Sequence, residues 1–468
     1  MSRSETIPAR AQLVVIGAGP GGYAAAFKAA ELGLDVTLID PEQKPGGVCL
    51  HRGCIPSKAL LHLAKLVGEA QEAASIGVTF SEPQIDLKRI RAWKNEVIGK
   101  LVGGLGTKVE KLKIGYVEGL AKFKDPHTLT ITTTSGAVGE LVFEQAILAT
   151  GSRPVMLPGV VAPSKKIIDS TGALELAEIP DSLLVVGGGY IGLELGSVYA
   201  ALGSKVSMVE MTDGLLPGSD RDLVSVLKRR IDKKFSEIRL NTRVTKLKEQ
   251  KNGVMVTLQE KQGALENRLF RQVLIAIGRR PNSENLGLEN TSIERDDKGF
   301  LKVDGQMRTT ESHIFAIGDI AGEPMLAHKA YAEAQVAAEA AAGKKAVFDP
   351  RAIPAVVFTD PELAWCGLTE TDARARKIKI KTVKLPWRGN GRTLTLGRDD
   401  GLTKLIVDPK TDRLLGVGVA GPGAGELIAE GVVALEMAAV SEDLRKSIHP
   451  HPTLSETISD AAKMLFKD

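Results

Sequence analysis

Cysteine is scarce in this sequence, which contains three cysteines in 468 residues. Such a count cannot build the disulfide framework of a small secreted scaffold. Aromatic residues make up 4% of the chain, which argues against the stacking platforms that bind single-stranded nucleic acid. No uninterrupted apolar run in the sequence approaches the roughly 20 residues of a membrane span. We therefore expect no membrane span and a reducing compartment, the cytoplasm.

An excess of charge of one sign is also missing from the sequence. The 61 basic and 57 acidic residues leave a formal net charge of +4, and lysine and arginine are scattered along the chain. A nucleic-acid partner is therefore not expected. A hydrophobic content of 43% with 25% charged residues is typical of a globular protein, and this length predicts about two to four domains.

The first motif is a glycine-rich loop between an apolar strand, predicted over residues 11–16, and a helix. The loop matches G-x-G-x-x-G, with Gly17 for the turn, Gly19 for close phosphate approach and Gly22 for helix–strand packing. A second strand then ends at Asp40, an acid placed to hold an adenosine ribose. The order strand, turn, helix, strand and acid indicates a dinucleotide site far more strongly than a lone glycine fingerprint would.

The same pattern occurs a second time as an internal repeat. The strand predicted over residues 183–186 leads into a second fingerprint at Gly187, Gly189 and Gly192, then a helix and a strand that ends at Glu210. A carboxylate at this place accepts hydrogen bonds from ribose hydroxyls and would repel a 2′-phosphate. No arginine follows immediately, so the repeat favours NAD over NADP.

Two cysteines, Cys49 and Cys54, open an apolar run with helical spacing. Pro56 suits a first helical turn, where its missing N–H would have no partner anyway. A thiol at a helix start is favoured as the thiolate by the positive end of the helix dipole, so it should be reactive. The alternatives are a structural disulfide or two unpaired core cysteines. The flanking dinucleotide unit favours a redox pair.

The C-terminal part, from about Arg351, has strands and helices with no nucleotide fingerprint, which predicts a separate domain. Just before it, Asp319 follows a short strand. This acid is either part of a Gly-Asp turn or a carboxylate on the ribityl chain of a flavin. Near the end of the chain, His449 and His451 precede Glu456, a carboxylate that could orient one of the two histidines.

Some residues are predicted to be structural. Residues 59–110 are predicted to be mainly helical with a lysine-rich outer face, and Trp93 is expected in the core. Cys366, next to a tryptophan, is also interpreted as a packing residue.

Together, these features resemble the flavin-dependent disulfide oxidoreductases, and most closely those that oxidise dihydrolipoyl groups. Three stretches carry the resemblance: GGVC…GCIPSK (46–58), FAIGD (315–319) and HPTLSE (451–456). The resemblance implies an α/β fold with two Rossmann-like FAD/NAD(P)-binding domains and a C-terminal α+β dimerisation domain. The expected boundaries are 1–152 for the first part of the FAD-binding domain, 153–282 for the NAD-binding domain, 283–350 for the second part of the FAD-binding domain and 351–468 for the interface domain.

The resemblance also assigns cofactor residues position by position. The implied FAD site contains Gly17, Gly19, Gly22, Asp40, Gly47, Lys58, Ala121, Gly151, Asp319 and Ala327. The implied NAD site contains Gly187, Gly189, Gly192, Glu210, Val244 and Gly278, and Glu194 is a further cofactor-binding residue. Lys58 would lie by the flavin ring and pair with Glu194. No metal site is indicated.

The implied activity is the oxidation of protein-bound dihydrolipoyl groups, with electrons passing through a Cys49–Cys54 disulfide and FAD to NAD+. In this family the C-terminal domain forms a homodimer, and His451 with Glu456 would serve the disulfide of the partner subunit. His449 has no such role by resemblance and is interpreted as structural. The implied partners are the lipoyl domains and acyltransferase core of 2-oxoacid dehydrogenase complexes, and the H protein of glycine cleavage.

The sequence departs from the family pattern in three ways. Asp40 replaces a commoner glutamate, Tyr190 resembles the aromatic residue of glutathione reductase, and His51-Arg52 replaces the usual Asn-Val between the cysteines. We expect Arg52 to stabilise the reduced thiols electrostatically.

Two alternative functions follow from the sequence. One is a glutathione-reductase-like NADPH enzyme, which Gly192 and Glu210 oppose. The other is a mainly structural subunit of the complex, which the intact set Cys49, Cys54 and His451 opposes.

Overall fold

The computed structural model describes residues 6–159 and 164–466. The chain divides into two compact units. The first unit contains the residues up to Ala59, Asp86–Val155 and Gly278–Asp349, and the second contains Leu60–Ile85, Met156–Ile277 and the residues from Pro350 onward.

The strands, in chain order, are β1 (Arg10–Ile16), β2 (Val36–Asp40), β3 (Gly115–Asp125), β4 (Thr128–Thr133), β5 (Val138–Leu148), β6 (Ser152–Pro154), β7 (Ile167–Ile168), β8 (Ser182–Val186), β9 (Lys205–Val209), β10 (Glu237–Arg239), β11 (Thr242–Gln250), β12 (Gly253–Glu260), β13 (Leu265–Phe270), β14 (Gln272–Ile275), β15 (Arg279–Pro281), β16 (Ile314–Ala316), β17 (Ala355–Val357), β18 (Glu362–Gly367), β19 (Lys381–Pro386), β20 (Leu402–Val407) and β21 (Leu414–Gly421).

The α-helices, in chain order, are α1 (Pro20–Glu31), α2 (Gly47–Arg52), α3 (Cys54–Glu72), α4 (Leu87–Lys111), α5 (Ser170–Glu175), α6 (Tyr190–Ala201), α7 (Arg221–Lys234), α8 (Ala327–Ala341), α9 (Glu370–Ala375), α10 (Gly391–Thr395), α11 (Ala424–Glu436), α12 (Ser441–Lys446) and α13 (Glu456–Met464).

The first unit is built on a parallel sheet with the strand order β3, β2, β1, β5, β16, while β4 pairs antiparallel with both β3 and β5. Side chains of β1 alternate between two cores. Leu13 and Val15 pack with α1 and α8, whereas Val14 and Ile16 pack with apolar residues of β4 and β5. Because both faces are covered, the central strands are apolar throughout.

The second unit contains a parallel sheet with the order β10, β9, β8, β14, β7. An antiparallel sheet of β11, β12 and β13 adjoins it in sequence. The C-terminal part forms the antiparallel sheet β17, β18, β21, β20, β19, and α11 and α13 share its hydrophobic core. The predicted fold class, two Rossmann-like parts with a C-terminal α+β part, is confirmed.

The packing of α4 differs from the sequence prediction. Trp93 is 38% exposed in the chain, whereas Lys94 beside it is 6% exposed. Successive helical side chains point about 100° apart, and the buried face of α4 continues from Lys94 through Val102 and Val109. The expectation of a core Trp93 is therefore wrong for this chain. Cys366 is 1% exposed, as expected of a packing residue, and burial raises the pKa of its thiol to about 12.

Within residues 6–159 and 164–466, no helix combines the length and apolar character that crossing a membrane requires. In the same part of the chain, no group of three or more histidine, cysteine and acidic side chains is placed to hold a metal ion.

Candidate active site

The first and third glycines of each fingerprint are required by the packing of the backbone itself. Gly17 has φ +101°, and a Cβ there would lie 2.3 Å from the carbonyl oxygen of Ala149. A Cβ on Gly22 would lie 1.7 Å from the carbonyl oxygen of Gly17. The second unit repeats this geometry, since a Cβ on Gly187 or Gly192 would lie 2.4 or 2.2 Å from a carbonyl oxygen.

The second glycine of each fingerprint has a different environment. A Cβ on Gly19 would meet no protein atom closer than 3.9 Å, and one on Gly189 would meet none within 4 Å. Each of these glycines precedes a helix, α1 or α6, that has no side-chain cap and no acidic residue in its first turn. Such a helix start fits a phosphate group, because a glycine has no side chain to keep the phosphate away from the backbone.

Asp40 braces the first glycine loop. Its Oδ2 accepts a hydrogen bond from the backbone N–H of Ala18 at 2.5 Å, and its Oδ1 accepts one from Glu42 at 2.8 Å. Burial raises the pKa of Asp40, although both backbone donors act in the opposite direction. Each carboxylate oxygen keeps a second acceptor site, so Asp40 fits a ribose hydroxyl while it holds the loop.

Glu210 has the same arrangement in the second unit. Its Oε2 accepts from the backbone N–H of Gly188 at 2.7 Å, and its Oε1 accepts from the N–H and the hydroxyl of Thr212, each at 2.8 Å. The intervening Met211 is an exposed, uncharged side chain. Oε2 keeps one acceptor site, so this carboxylate, with the uncharged Met211 next to it, fits a ribose hydroxyl of NAD.

The two cysteines lie side by side in the first unit. Cys49 is on α2, and Cys54 begins α3 with Pro56 in the first turn. Both are free thiols in this structure, Cys49 half-buried and Cys54 exposed. The hydrogen bond between their side chains, followed by burial, raises the pKa of Cys49, while the nearby Lys58 acts in the opposite direction. Two sulfurs in hydrogen-bond contact are close enough for thiol–disulfide chemistry after a small adjustment.

Arg52, between the two cysteines, forms an ion pair with Glu42 at 2.5 Å. Its charge is therefore partly balanced by a carboxylate, and the cation that opposes the rise in the pKa of Cys49 is Lys58. The proposed effect of Arg52 on the reduced thiols stays a prediction.

Asp319 lies in a short turn directly after β16 and is linked to two residues that the sequence motifs did not single out. The hydroxyl of Ser152 donates to Asp319 Oδ2 at 2.5 Å, and Arg279 Nε donates to that hydroxyl at 2.8 Å. Arg279 also donates to the Ser152 carbonyl oxygen at 2.7 Å. These bonds hold the carboxylate at the end of the strand, where it fits a polyhydroxyl chain.

A buried ion pair supports the same turn from α8. Lys329 and Glu333 are 2.6 Å apart and both almost completely buried. Glu333 also accepts the backbone N–H of Gly318 at 2.6 Å, and Lys329 donates to the carbonyl oxygen of Gly322 at 3.2 Å. Burial raises the pKa of Glu333 although Lys329 opposes the shift. Their spacing of four residues was the only sequence signal for this pair.

The cofactor-binding roles of the remaining predicted residues stay predictions. Three of these residues are glycines with positive φ: Gly47 (+56°) begins α2, Gly151 (+69°) precedes β6 and Gly278 (+129°) precedes β15. Ala121 is buried in β3, Val244 lies in β11 and Ala327 begins α8. Glu194 is buried in α6, where its carboxylate accepts a hydrogen bond from the N–H of Phe358 at 2.9 Å.

His451 and Glu456 form a dyad near the end of the chain. His451 Nδ1 lies 2.8 Å from Glu456 Oε1, and the backbone N–H of Thr453 donates to the other carboxylate oxygen at 2.8 Å. These two hydrogen bonds, that of Thr453 first, lower the pKa of Glu456. An ionised carboxylate on Nδ1 fixes the tautomer in which Nε2 carries the free lone pair. The dyad can therefore act as a general base.

Comparisons with known proteins agree with this geometry. Residues 11–334 match the family described as pyridine nucleotide-disulphide oxidoreductase, and residues 353–462 match the dimerisation domain of that family. The chain belongs to the pyridine nucleotide-disulphide oxidoreductases. FAD and NAD, expected from the sequence, are the cofactors of this oxidoreductase family.

Relatives in the family cover almost the whole chain. The chain is 46% identical to the dihydrolipoyl dehydrogenase of Vibrio cholerae, covering 97% of this chain and 95% of that protein. It is 44% identical to the dihydrolipoyl dehydrogenase of Thermus scotoductus, with 97% of each chain covered. The resemblance stated from the sequence is confirmed.

Two solved structures have the same fold as this chain. The crystal structure of LpdA from Mycobacterium tuberculosis matches with a TM-score of 0.89 at 28% identity, covering 98% of this chain and 100% of that one. The HOCl-induced flavoprotein disulfide reductase RclA from Escherichia coli matches with a TM-score of 0.85 at 30% identity, covering 97% and 100%.

Proposed function

We propose that this chain oxidises protein-bound dihydrolipoyl groups to lipoyl groups, with NAD+ as the final electron acceptor. The observation that carries the proposal is the contact between Cys49 and Cys54 at the start of α3, in the unit that holds the first dinucleotide loop. Relatives named dihydrolipoyl dehydrogenase, 42–46% identical over almost the whole chain, support this choice within the family.

The residues of the chain account for the thiol chemistry. His451 takes a proton from one dihydrolipoyl thiol, because only the thiolate attacks a disulfide. The substrate thiolate bonds to Cys49, the Cys49–Cys54 bond breaks, and Cys54 leaves as a thiolate. The second substrate thiol then gives its proton to the departing Cys49 sulfur as it displaces it, which closes the lipoyl ring and leaves a Cys49 thiol and a Cys54 thiolate.

The overall reaction converts a dihydrolipoyl group and NAD+ into a lipoyl group, NADH and a proton. When bound, FAD supplies the route by which the two electrons of the dithiol reach NAD+. Gly17, Gly19 and Asp40 would hold its adenosine diphosphate part, and Asp319 its ribityl chain. In the second unit, the loop from Gly187 to Gly192 would hold NAD, with Glu210 on the adenosine ribose.

We further propose that the chain acts as a homodimer in the cytoplasm, with His451 serving the disulfide of the partner subunit. The match of residues 353–462 to a dimerisation domain supports this arrangement. The proposed partners are the lipoyl domains and acyltransferase core of 2-oxoacid dehydrogenase complexes, and the H protein of glycine cleavage.

A four-way assay of the purified yellow protein tests the function. We expect NADH with lipoamide to give rapid turnover, and NADPH or oxidised glutathione to give little, because Glu210 has no adjacent cation. Faster turnover with NADPH and glutathione would contradict the proposal. Cys49→Ser is the matched control, since it should keep FAD and lose lipoamide turnover. Full flavin content without turnover in the native protein would favour a structural subunit.

A further inference from the structure

The catalytic dyad has a second histidine–glutamate pair close to it in sequence and on the same loop. We call residues 447–453 the histidine loop, which lies between α12 and α13. His449 Nε2 lies 2.7 Å from Oε1 of Glu430, a residue of α11. The histidine loop is therefore attached to α11 through His449, and to the start of α13 through the bond between His451 and Glu456.

The two histidines have opposite environments. The side chain of His449 is 9% exposed, whereas that of His451 is 77% exposed. Both ring nitrogens of His449 face acceptors, because Nδ1 lies 3.1 Å from the carbonyl oxygen of Ser447 and Nε2 faces Glu430. Both ring nitrogens of His449 thus make contacts within the chain, whereas His451 makes its contact through Nδ1.

His451 depends on the loop for its position. Its ring makes one hydrogen bond, to Glu456, within the part of the chain that the structure describes. An exposed ring that makes a single hydrogen bond can rotate and can shift with its backbone, because few packing contacts restrain it. On the C-terminal side the backbone is held by Asn390, which donates to the carbonyl oxygen of Thr453 at 3.1 Å. On the N-terminal side the loop is held to α11 by the contact between His449 and Glu430.

We propose that Glu430 and His449 are positioning residues for His451. The pair fixes the N-terminal side of the histidine loop, so that His451 Nε2 meets the substrate thiol at a defined place. This inference rests on the proposed function of His451. Proton transfer requires the base within hydrogen-bond reach of the thiol, and a displacement of about 1 Å lowers rates by roughly 100-fold.

The test uses the FAD-loaded protein and three variants. His449→Leu removes both hydrogen bonds, and Glu430→Ala removes the acceptor from a partly exposed position on α11. His449→Gln is the conservative variant, because its side-chain amide reaches about as far as Nε2 and can donate to Glu430. Two rates are measured: reduction of the enzyme by dihydrolipoamide or dithiothreitol in a single turnover, and oxidation of NADH by ferricyanide.

We expect His449→Leu and Glu430→Ala to slow reduction by dithiols roughly 10- to 100-fold. His449→Gln should recover most of that loss. Ferricyanide takes electrons without a thiol proton transfer, so its rate should be unchanged in all three variants. A slower reduction by dithiols with an unchanged ferricyanide rate distinguishes a positioning role from general destabilisation of the protein. If His449→Leu does not fold, the two rates of Glu430→Ala alone test whether the pair positions His451.

Two outcomes would overturn the inference. One is wild-type rates of dithiol reduction in His449→Leu or Glu430→Ala, and the other is an equal fall of both rates. Failure of the proposed function looks different, because the native protein would then react with dithiothreitol but not with dihydrolipoamide. The effect of the variants could still be read from the dithiothreitol rate.

Discussion

At the scale of single residues, the three glycines of each fingerprint have separable roles. Gly192 is held against the backbone, since a Cβ there would lie 2.2 Å from the carbonyl oxygen of Gly187. Gly189 has φ −76° and ψ 177°, a conformation that any residue adopts, and its Cβ would meet no protein atom within 4 Å. The packing therefore requires glycine at 192 but leaves room for a side chain at 189, where we propose that glycine serves the approach of NAD.

This difference gives a paired prediction. Gly189→Ala should keep the melting temperature of the native protein and raise the KM for NAD+ by about tenfold or more, because the methyl group occupies the approach of the pyrophosphate. Gly192→Ala should lower the melting temperature, because the helix must move away from the loop. Thermal unfolding and steady-state kinetics check both. An unchanged KM in Gly189→Ala would contradict the ligand role of this glycine.

The backbone roles of the first and third glycines could be predicted from the sequence because they follow from local spacing along one strand, turn and helix, whereas the ligand role of the second glycine stays a prediction. The sequence does not predict the contact of Ser152 with Asp319, 167 positions apart, since no local pattern joins them. Trp93 is a residue for which a local pattern predicted the wrong environment. Hydrophobicity suggested the core, but the phase of α4 turns Lys94 inward instead.

At the scale of elements, one carboxylate holds several segments of the second unit together. Asp360, in the loop before β18, contacts Arg230 and Lys234 of α7 at 3.1 and 3.0 Å, and Arg398 at 2.7 Å. Arg230 also pairs with Glu72 at the end of α3. Burial alone would raise the pKa of Asp360, but the three cations hold it well below its usual range.

The lowered pKa predicts how stability depends on pH. Asp360 binds its proton more weakly in the folded chain than in the unfolded chain. Its contribution is therefore complete above the unfolded pKa of about 3.9 and is lost as pH falls toward the folded value. Asp360→Asn should lower the free energy of unfolding by about 2 kcal/mol at neutral pH, and the difference should shrink below about pH 4.

Thermal unfolding of Asp360→Asn between neutral and acidic pH checks this prediction. Glu294→Gln is the control, because Glu294 pairs with Lys302 at 2.8 Å on an exposed surface, where an ion pair contributes little. A difference between Asp360→Asn and the native protein that stayed constant with pH would show that the cluster does not act through charge.

At the scale of the whole molecule, the chain places the two halves of the thiol chemistry in different units. Cys49 and Cys54 belong to the first unit, and His451 with Glu456 belongs to the second. The sequence motifs single out the residues on each side, and their catalytic roles stay predictions. Which subunit supplies the base to which disulfide is a property of the assembly, and in our proposal the two come from different subunits.

Mixed dimers test this arrangement directly. Cys49→Ser and His451→Gln homodimers should each lose dihydrolipoamide oxidation by roughly 100- to 10,000-fold while they keep FAD. A mixed dimer contains one Cys49→Ser subunit and one His451→Gln subunit. If each site is shared between subunits, one of its two sites carries both changes and the other carries neither. Random co-assembly should therefore restore about a quarter of all sites. If His451 served its own subunit, every site would carry one change and the mixture would stay inactive.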